Sequence, residues 1–126
     1  MEYLESSNAP RAIGPYSQAV KAGGYVFCSG QIALSPDGRM TEGDIKNQTV
    51  QVLNNLKAVL HQAGLSLEQV VKVTVFLKDI KLFNDMNEVY GQFFSINKPA
   101  RSTVEVAALP KEALIEIDCI AIANEG

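Results

Sequence analysis

The sequence predicts an α+β (mixed α/β) domain, in which one mixed sheet carries two helices on one of its faces. Three observations lead there. Strand-like and helix-like segments follow the order strands, helix, strand, helix, two strands. Two segments repeat apolar residues at three and four, the period of an amphipathic helix. The strand segments each separate into a small aliphatic set and a mixed set at period two. At 126 residues the chain fits a single domain, 1–126, long enough to bury a core without disulfides or metal.

The first clear strand is "YVFCSGQI", residues 25–32, which is rich in aromatic and β-branched residues and entered from the Gly23-Gly24 turn. "SPDG", residues 35–38, reads as a β-turn, with proline second and glycine fourth. From Asp44 to Ala63, Thr49, Val52, Leu53, Leu56, Val59, Leu60 and Ala63 form one helical stripe. Gly64 closes that helix as a left-handed cap. "VVKVTVFL", residues 70–77, is the strongest strand. Asp79 is the expected N-cap of a second helix, whose stripe is Phe83, Met86, Val89, Tyr90, Phe93 and Phe94. Pro99 bars that helix from reaching Arg101. Two last strands are expected near 101–106 and 114–122.

Sorting the strands by parity gives an aliphatic face: Val26, Cys28, Gly30, Ile32, Val71, Val73, Val75, Leu77, Val104, Val106, Ile115, Ile117, Cys119 and Ala121. The two helices should cover it. The opposite face mixes Tyr25, Phe27, Ser29, Gln31, Lys72, Thr74, Phe76, Arg101, Thr103, Glu105, Glu116, Asp118 and Ile120. It is too apolar for water and too charged for a second closed core. Burial against copies of the same chain reconciles the two, and a closed cyclic homo-oligomer also shields sheet edges. On this sorting, Arg101 and Glu116 share the oligomer-facing side.

The formal net charge of −3 offers no footprint for nucleic acid or anionic lipid. The first ten residues, "MEYLESSNAP", lack a basic region and an apolar run, and no apolar stretch approaches bilayer length, so a cytoplasmic protein without membrane contact is expected. Cys28 and Cys119 sit within apolar strands, the setting of small buried hydrophobes, with a disulfide or a catalytic role as the alternatives. The single histidine, His61, has no ligand partners at metal spacing, so no metal is expected.

Arg101 fits two roles: an ion-paired strand-edge arginine, or a guanidinium fork for a ligand carboxylate. Its place on a face that must be partly buried favours the fork. Glu116, between two isoleucines, is an outward solvated carboxylate, a structural partner for Lys72, or a group that activates water in a dry crevice. Ser29 and Gly30 close a strand where glycine admits a ligand close to the backbone. No G-x-S-x-G is present, and the isolated glycines of "SGQ" and "GPY" make neither a P-loop nor a dinucleotide fingerprint. Tyr16 follows Gly-Pro, so a turn presents its phenol either to solvent chemistry or to packing.

The segments "IGPYSQAV", "FCSGQIAL", "VVKVTVFLKD", "NEVYGQFF" and "PARSTVEVAALPKEALIEIDCIAI" together resemble the Rid (YjgF/YER057c) family of reactive-intermediate imine deaminases, from about residue 8 to residue 123. Pro-Ala-Arg, a short strand and then Ile-Glu-Ile is the most specific part. The resemblance implies a chorismate-mutase-like fold and a homotrimeric barrel with ligand clefts between subunits. It implies hydrolysis of 2-imino acids, such as the imine tautomer of 2-aminoacrylate released by pyridoxal-phosphate enzymes, to 2-oxo acids and ammonia, with no cofactor. Carried over, Arg101 grips the substrate carboxylate with help from the Thr103 amide. Glu116 orients the attacking water and shuttles protons, while Tyr16, Ser29 and the Gly30 backbone line the imine end. Asn87 aligns with a cleft position of several members. Thr103 departs from the cysteine that many relatives carry, which touches only thiol-based roles. Two other functions stay open beside the deaminase: a non-catalytic trimer that binds 2-oxo acids for regulation, and an endoribonuclease or translation inhibitor, against which the acidic charge and the lack of a histidine pair argue.

Overall fold

A computed structural model describes residues 1–123. The elements are β1 (Glu2–Leu4), β2 (Ala19–Ala22), β3 (Tyr25–Gln31), α1 (Ile45–His61), β4 (Val70–Leu77), α2 (Phe83–Phe93), β5 (Ala100–Glu105) and β6 (Ile115–Ile122). They form one six-stranded mixed sheet in the order β1-β2-β3-β6-β4-β5. Every neighbouring pair is antiparallel except β4 and β5, which run parallel because α2 carries the chain from one to the other. The two short N-terminal strands were not foreseen from sequence; their hydrophobic signal is only a few residues long.

The helices begin and end for local reasons. Asp44 caps α1 by accepting from the Asn47 amide. At the other end, Gly64 adopts a φ of 73°, and the Leu65 N–H returns to the Leu60 carbonyl, closing a Schellman turn. Asp79 caps a single 3₁₀ turn, Ile80–Leu82, that leads into α2, rather than capping α2 itself. The 35–38 turn is closed by the Gly38 N–H on the Ser35 carbonyl.

One core lies between the helices and one sheet face. Val52, Leu53, Leu56, Val59 and Leu60 of α1 and Met86 and Tyr90 of α2 pack with Val26, Cys28, Val73, Val75, Leu77, Ile115, Ile117, Cys119 and Ala121. Burial of this many aliphatic groups, each stabilising by about 1.5–3 kcal/mol, is the main force holding the fold together. Cys28 and Cys119 are directly opposite in the β3–β6 register and both buried. Contact with Cys28, then burial, holds the Cys119 thiol above its ordinary range. Both behave as core residues. The other face leaves large apolar groups open: Tyr25 is 42% exposed, Phe27 46% and Val104 42%.

The parity sorting fails at three places, each with a cause. In β3 the ladder gains one residue between Cys28 and Gln31, so Gln31 turns to the core and Gly30 to the outer face, the reverse of the expectation. In β4 a similar irregularity between Val70 and Lys72 buries Val70 and exposes Val71. In β5 the whole strand is inverted. Arg101 pairs with Val73 and Thr103 with Val75, both core-facing positions, whereas Val104 pairs with Phe76 on the outer face. Edge strand β5 takes its orientation from α2, which offers aromatic rings to Arg101.

No helix among the described residues is long and apolar enough to cross a membrane.

Candidate active site

Most of the residues singled out in sequence line one of two cavities. The first, about 400 Å³, is lined by Ile13, Tyr16, Gly30, Leu34, Lys111 and Glu116, among others. Glu116 points out of β6 opposite Phe76, half-buried. Burial, and secondarily the negative charge of Asp118, raise its carboxyl above the ordinary carboxylate value. Lys72 does not pair with it. That ammonium donates to Ser102 Oγ at 3.0 Å and lies close enough to Asp118 to oppose the rise that burial imposes there.

Gly30 leaves room for this carboxylate. A Cβ at that position would fall 2.8 Å from Glu116 Cδ and 3.0 Å from Cγ, so any larger residue obliges the flexible glutamate side chain to move from its place across the bulge. Ser29 works one step removed. Its hydroxyl donates to the Ser17 carbonyl at 2.6 Å, and its N–H donates to the Gln18 carbonyl at 2.9 Å. These bonds tie β3 to the segment that presents Tyr16, which is 54% exposed.

Two contributors were not visible in sequence. Gln18, buried, accepts from the Ser6 N–H at 2.6 Å and donates to the Pro10 carbonyl at 2.7 Å, anchoring the N-terminal segment that walls the cavity. Lys111 and Glu112 hold left-handed backbone with φ of 55° and 56°. Consecutive non-glycine residues there cost about 1–3 kcal/mol each, and such strain gathers at functional sites. The "LPKEA" stretch carries no glycine to signal it.

The second cavity, about 280 Å³, is lined by Asn87, Tyr90, Gly91, Phe94, Lys98, Pro99 and Arg101. The Arg101 guanidinium lies over the Tyr90 ring, 4.6 Å from its centroid, and 5.5 Å from that of Phe83. Its Nη1 donates to Asn87 Oδ1 at 2.7 Å. The fork is therefore oriented by α2, and part of it remains for a ligand. The Tyr90 hydroxyl and Thr103 Oγ1 are buried without a hydrogen-bond partner among the described residues. Burial raises the Tyr90 phenol, against the lowering effect of the Arg101 charge beside it.

Arg101 and Glu116 thus stand on opposite faces of the sheet, contrary to the sequence expectation. Within one chain, Tyr16, Ser29, Gly30 and Glu116 form one cluster, and Asn87, Arg101 and Thr103 belong to the other side. Among the described residues no group of three or more His, Cys, Asp or Glu is placed to hold a metal ion.

Comparison with known proteins places these features in a family. The model described as Endoribonuclease L-PSP matches residues 6–123. A RutC family protein of Pyrococcus horikoshii is 56% identical over 121 residues, covering 95% of this chain and 96% of that protein. Reactive Intermediate Deaminase A, chloroplastic, of Arabidopsis thaliana is 46% identical over 121 residues, covering 95% of this chain and 65% of that protein. Among solved structures, YyfA of Yersinia pestis, from the conserved Rid protein family, superposes with a TM-score of 0.94 at 50% identity, covering 96% of this chain and 98% of that one. With the Gly30–Glu116 contact and the Arg101 fork in their expected segments, the chain belongs to the Rid (YjgF/YER057c) family.

Proposed function

We propose that this protein hydrolyses 2-imino acids to 2-oxo acids and ammonia, without a cofactor, in clefts between the subunits of a cytoplasmic homotrimer. What carries the reading is the pair of half-sites: a guanidinium oriented by Asn87 on one face, and a half-buried carboxyl with a raised pKa on the other. A relative named as a reactive intermediate deaminase supports the chemistry. The open aromatic and aliphatic outer face supports assembly, and the number three comes from the family resemblance.

In this reading Arg101 of one subunit holds the imino acid's carboxylate bidentately. The Thr103 amide assists it, as an edge strand leaves part of its N–H row unpaired. Glu116 of the partner subunit takes a proton from water as the oxygen bonds to the C=N carbon, and that proton passes to nitrogen in the tetrahedral carbinolamine. The hydroxyl proton then passes by way of Glu116 to nitrogen, the C–N bond breaks, and ammonia leaves as the new carbonyl forms. One water enters for each ammonia released. Tyr16, Ser29 and the Gly30 backbone line the imine end. A carboxyl with a raised pKa is suited to both halves of this proton transfer.

The test couples an amino-acid oxidase to imine decay. Addition of the protein accelerates loss of the imine, and Arg101→Ala, still assembled, does not. Full activity in Arg101→Ala overturns the assignment, and binding of 2-oxo acids without turnover by the intact protein favours a regulatory trimer instead.

A further inference from the structure

The cavity around Arg101 is more cationic than one carboxylate requires. Each polar side chain among its lining residues can donate a hydrogen bond. Arg101 keeps the part of its fork not committed to Asn87. Asn87 has given its oxygen to Arg101, which leaves its amide NH₂ to face a ligand. Tyr90 contributes a hydroxyl that is at least nine-tenths buried and has no partner among the described residues. Lys98, three residues before Arg101 across the rigid Pro99, adds an ammonium that forms no salt bridge among them. No Asp or Glu lines this cavity. Within one chain, two cationic residues therefore border about 280 Å³ of space that no Asp or Glu of the same chain lines.

A monocarboxylate satisfies the arginine fork with its two oxygens and leaves the ammonium without an anion. A second carboxylate on the same ligand uses it. The flexible lysine stem suits a carboxylate whose distance from the first varies by one methylene, whereas the planar guanidinium fixes the invariant end. The volume accommodates a four- or five-carbon diacid. An apolar side chain would instead meet the Lys98 ammonium and strip its hydration without return.

We propose that Lys98 forms a second carboxylate subsite beside Arg101, so that the preferred substrates are 2-imino dicarboxylic acids of four or five carbons, the oxidation products of acidic amino acids. This rests on the imine-hydrolysis reading above and narrows it to a substrate class. It assigns Lys98 a specificity role, with Arg101 retaining the carboxylate next to the imine.

The experiment measures kcat/KM for 2-iminosuccinate and 2-iminoglutarate, generated by amino-acid oxidases, against 2-iminobutanoate, using the full chain. The expected diacid-to-monoacid ratio is about tenfold or more, the scale of one charge-assisted contact. Lys98→Met lowers that ratio by about tenfold and Lys98→Glu inverts it, with circular dichroism checking that these variants of an exposed residue are folded. A wild-type ratio near one, or a ratio unchanged in Lys98→Met, overturns the proposal. If no imino acid is hydrolysed, the deaminase reading fails separately, and calorimetry with 2-oxoglutarate and 2-oxobutanoate decides the subsite. Tighter diacid binding that Lys98→Met removes sustains it, and equal binding overturns it.

Discussion

Arg101 and Glu116 occupy opposite faces of one sheet, Arg101 in register with Val73 on the core side and Glu116 in register with Phe76 on the outer side. If one reaction needs both, two chains must supply them. Arg101→Ala and Glu116→Ala proteins are each expected to lose activity by about 10²-fold or more. Mixed and co-refolded at equal amounts, they should regain about a quarter of the wild-type sites, because that share of random subunit boundaries joins an intact arginine to an intact glutamate. Activity that stays at the level of the single variants rules out the shared site.

Asn87 acts through Arg101. Its 2.7 Å bond to Nη1 fixes the rotation of a guanidinium that the Tyr90 ring fixes only in tilt. Asn87→Ala leaves the charge but lets the fork swing, so KM for the imino acid is expected to rise about tenfold, matching the loss of one hydrogen bond to a charged group. Asn87→Asp should behave differently. It turns the bond into an ion pair that competes with the substrate, and inhibition by 2-oxo acids should weaken further. Steady-state kinetics with both variants separates these outcomes.

The helices, the core and the positions of all four larger strands were legible, most firmly where a long periodic stretch lets many residues decide burial at once. The α1 stripe from Thr49 to Leu60 is such a case, and its caps are where Asp44 and Gly64 require them. The Arg101–Glu116 relation was not legible. Parity in β5 rests on Val104 and Val106 alone, and two valines cannot outweigh the stacking of Arg101 on Phe83 and Tyr90. The bulge at Ser29-Gly30 was equally hidden, since a glycine in a strand reads as a weak core position as readily as a clearance for a neighbour. Residue types thus pointed to candidate groups, while three-dimensional packing decided on which side of the sheet they stand.

Gly30 tests that clearance directly. A methyl group there would collide with the Glu116 side chain, 2.8 Å from Cδ, so Gly30→Ala must push the carboxyl out of place. Gly30 is exposed, so the fold should survive with little change in melting temperature. kcat is expected to fall about 10²-fold, the penalty for a displacement of about 1 Å in a reacting group, with KM nearly unchanged. Equal losses in kcat and stability would instead make Gly30 a folding residue.

Glu116 also makes a prediction about stability and pH. Burial, then Asp118, raise its pKa in the folded chain, so the native state binds the proton more tightly than the unfolded state. Stability therefore falls as pH rises from the ordinary carboxylate value of 4.5 through the raised one, and the cost is fully present above it. Glu116→Gln removes the ionisation. At neutral pH it should melt roughly 2 °C higher than wild type, a modest gain because solvent screens a half-exposed carboxyl, and near pH 4 the two should coincide. If the proposed shared site forms, the neutral-pH gain should be larger in an Arg101→Ala background, where the partner subunit's Arg101 would no longer offset the buried charge. Thermal melts of the four proteins at both pH values read the sign. A Glu116→Gln variant less stable than wild type at neutral pH in both backgrounds would mean that the carboxylate has a favourable partner other than that arginine.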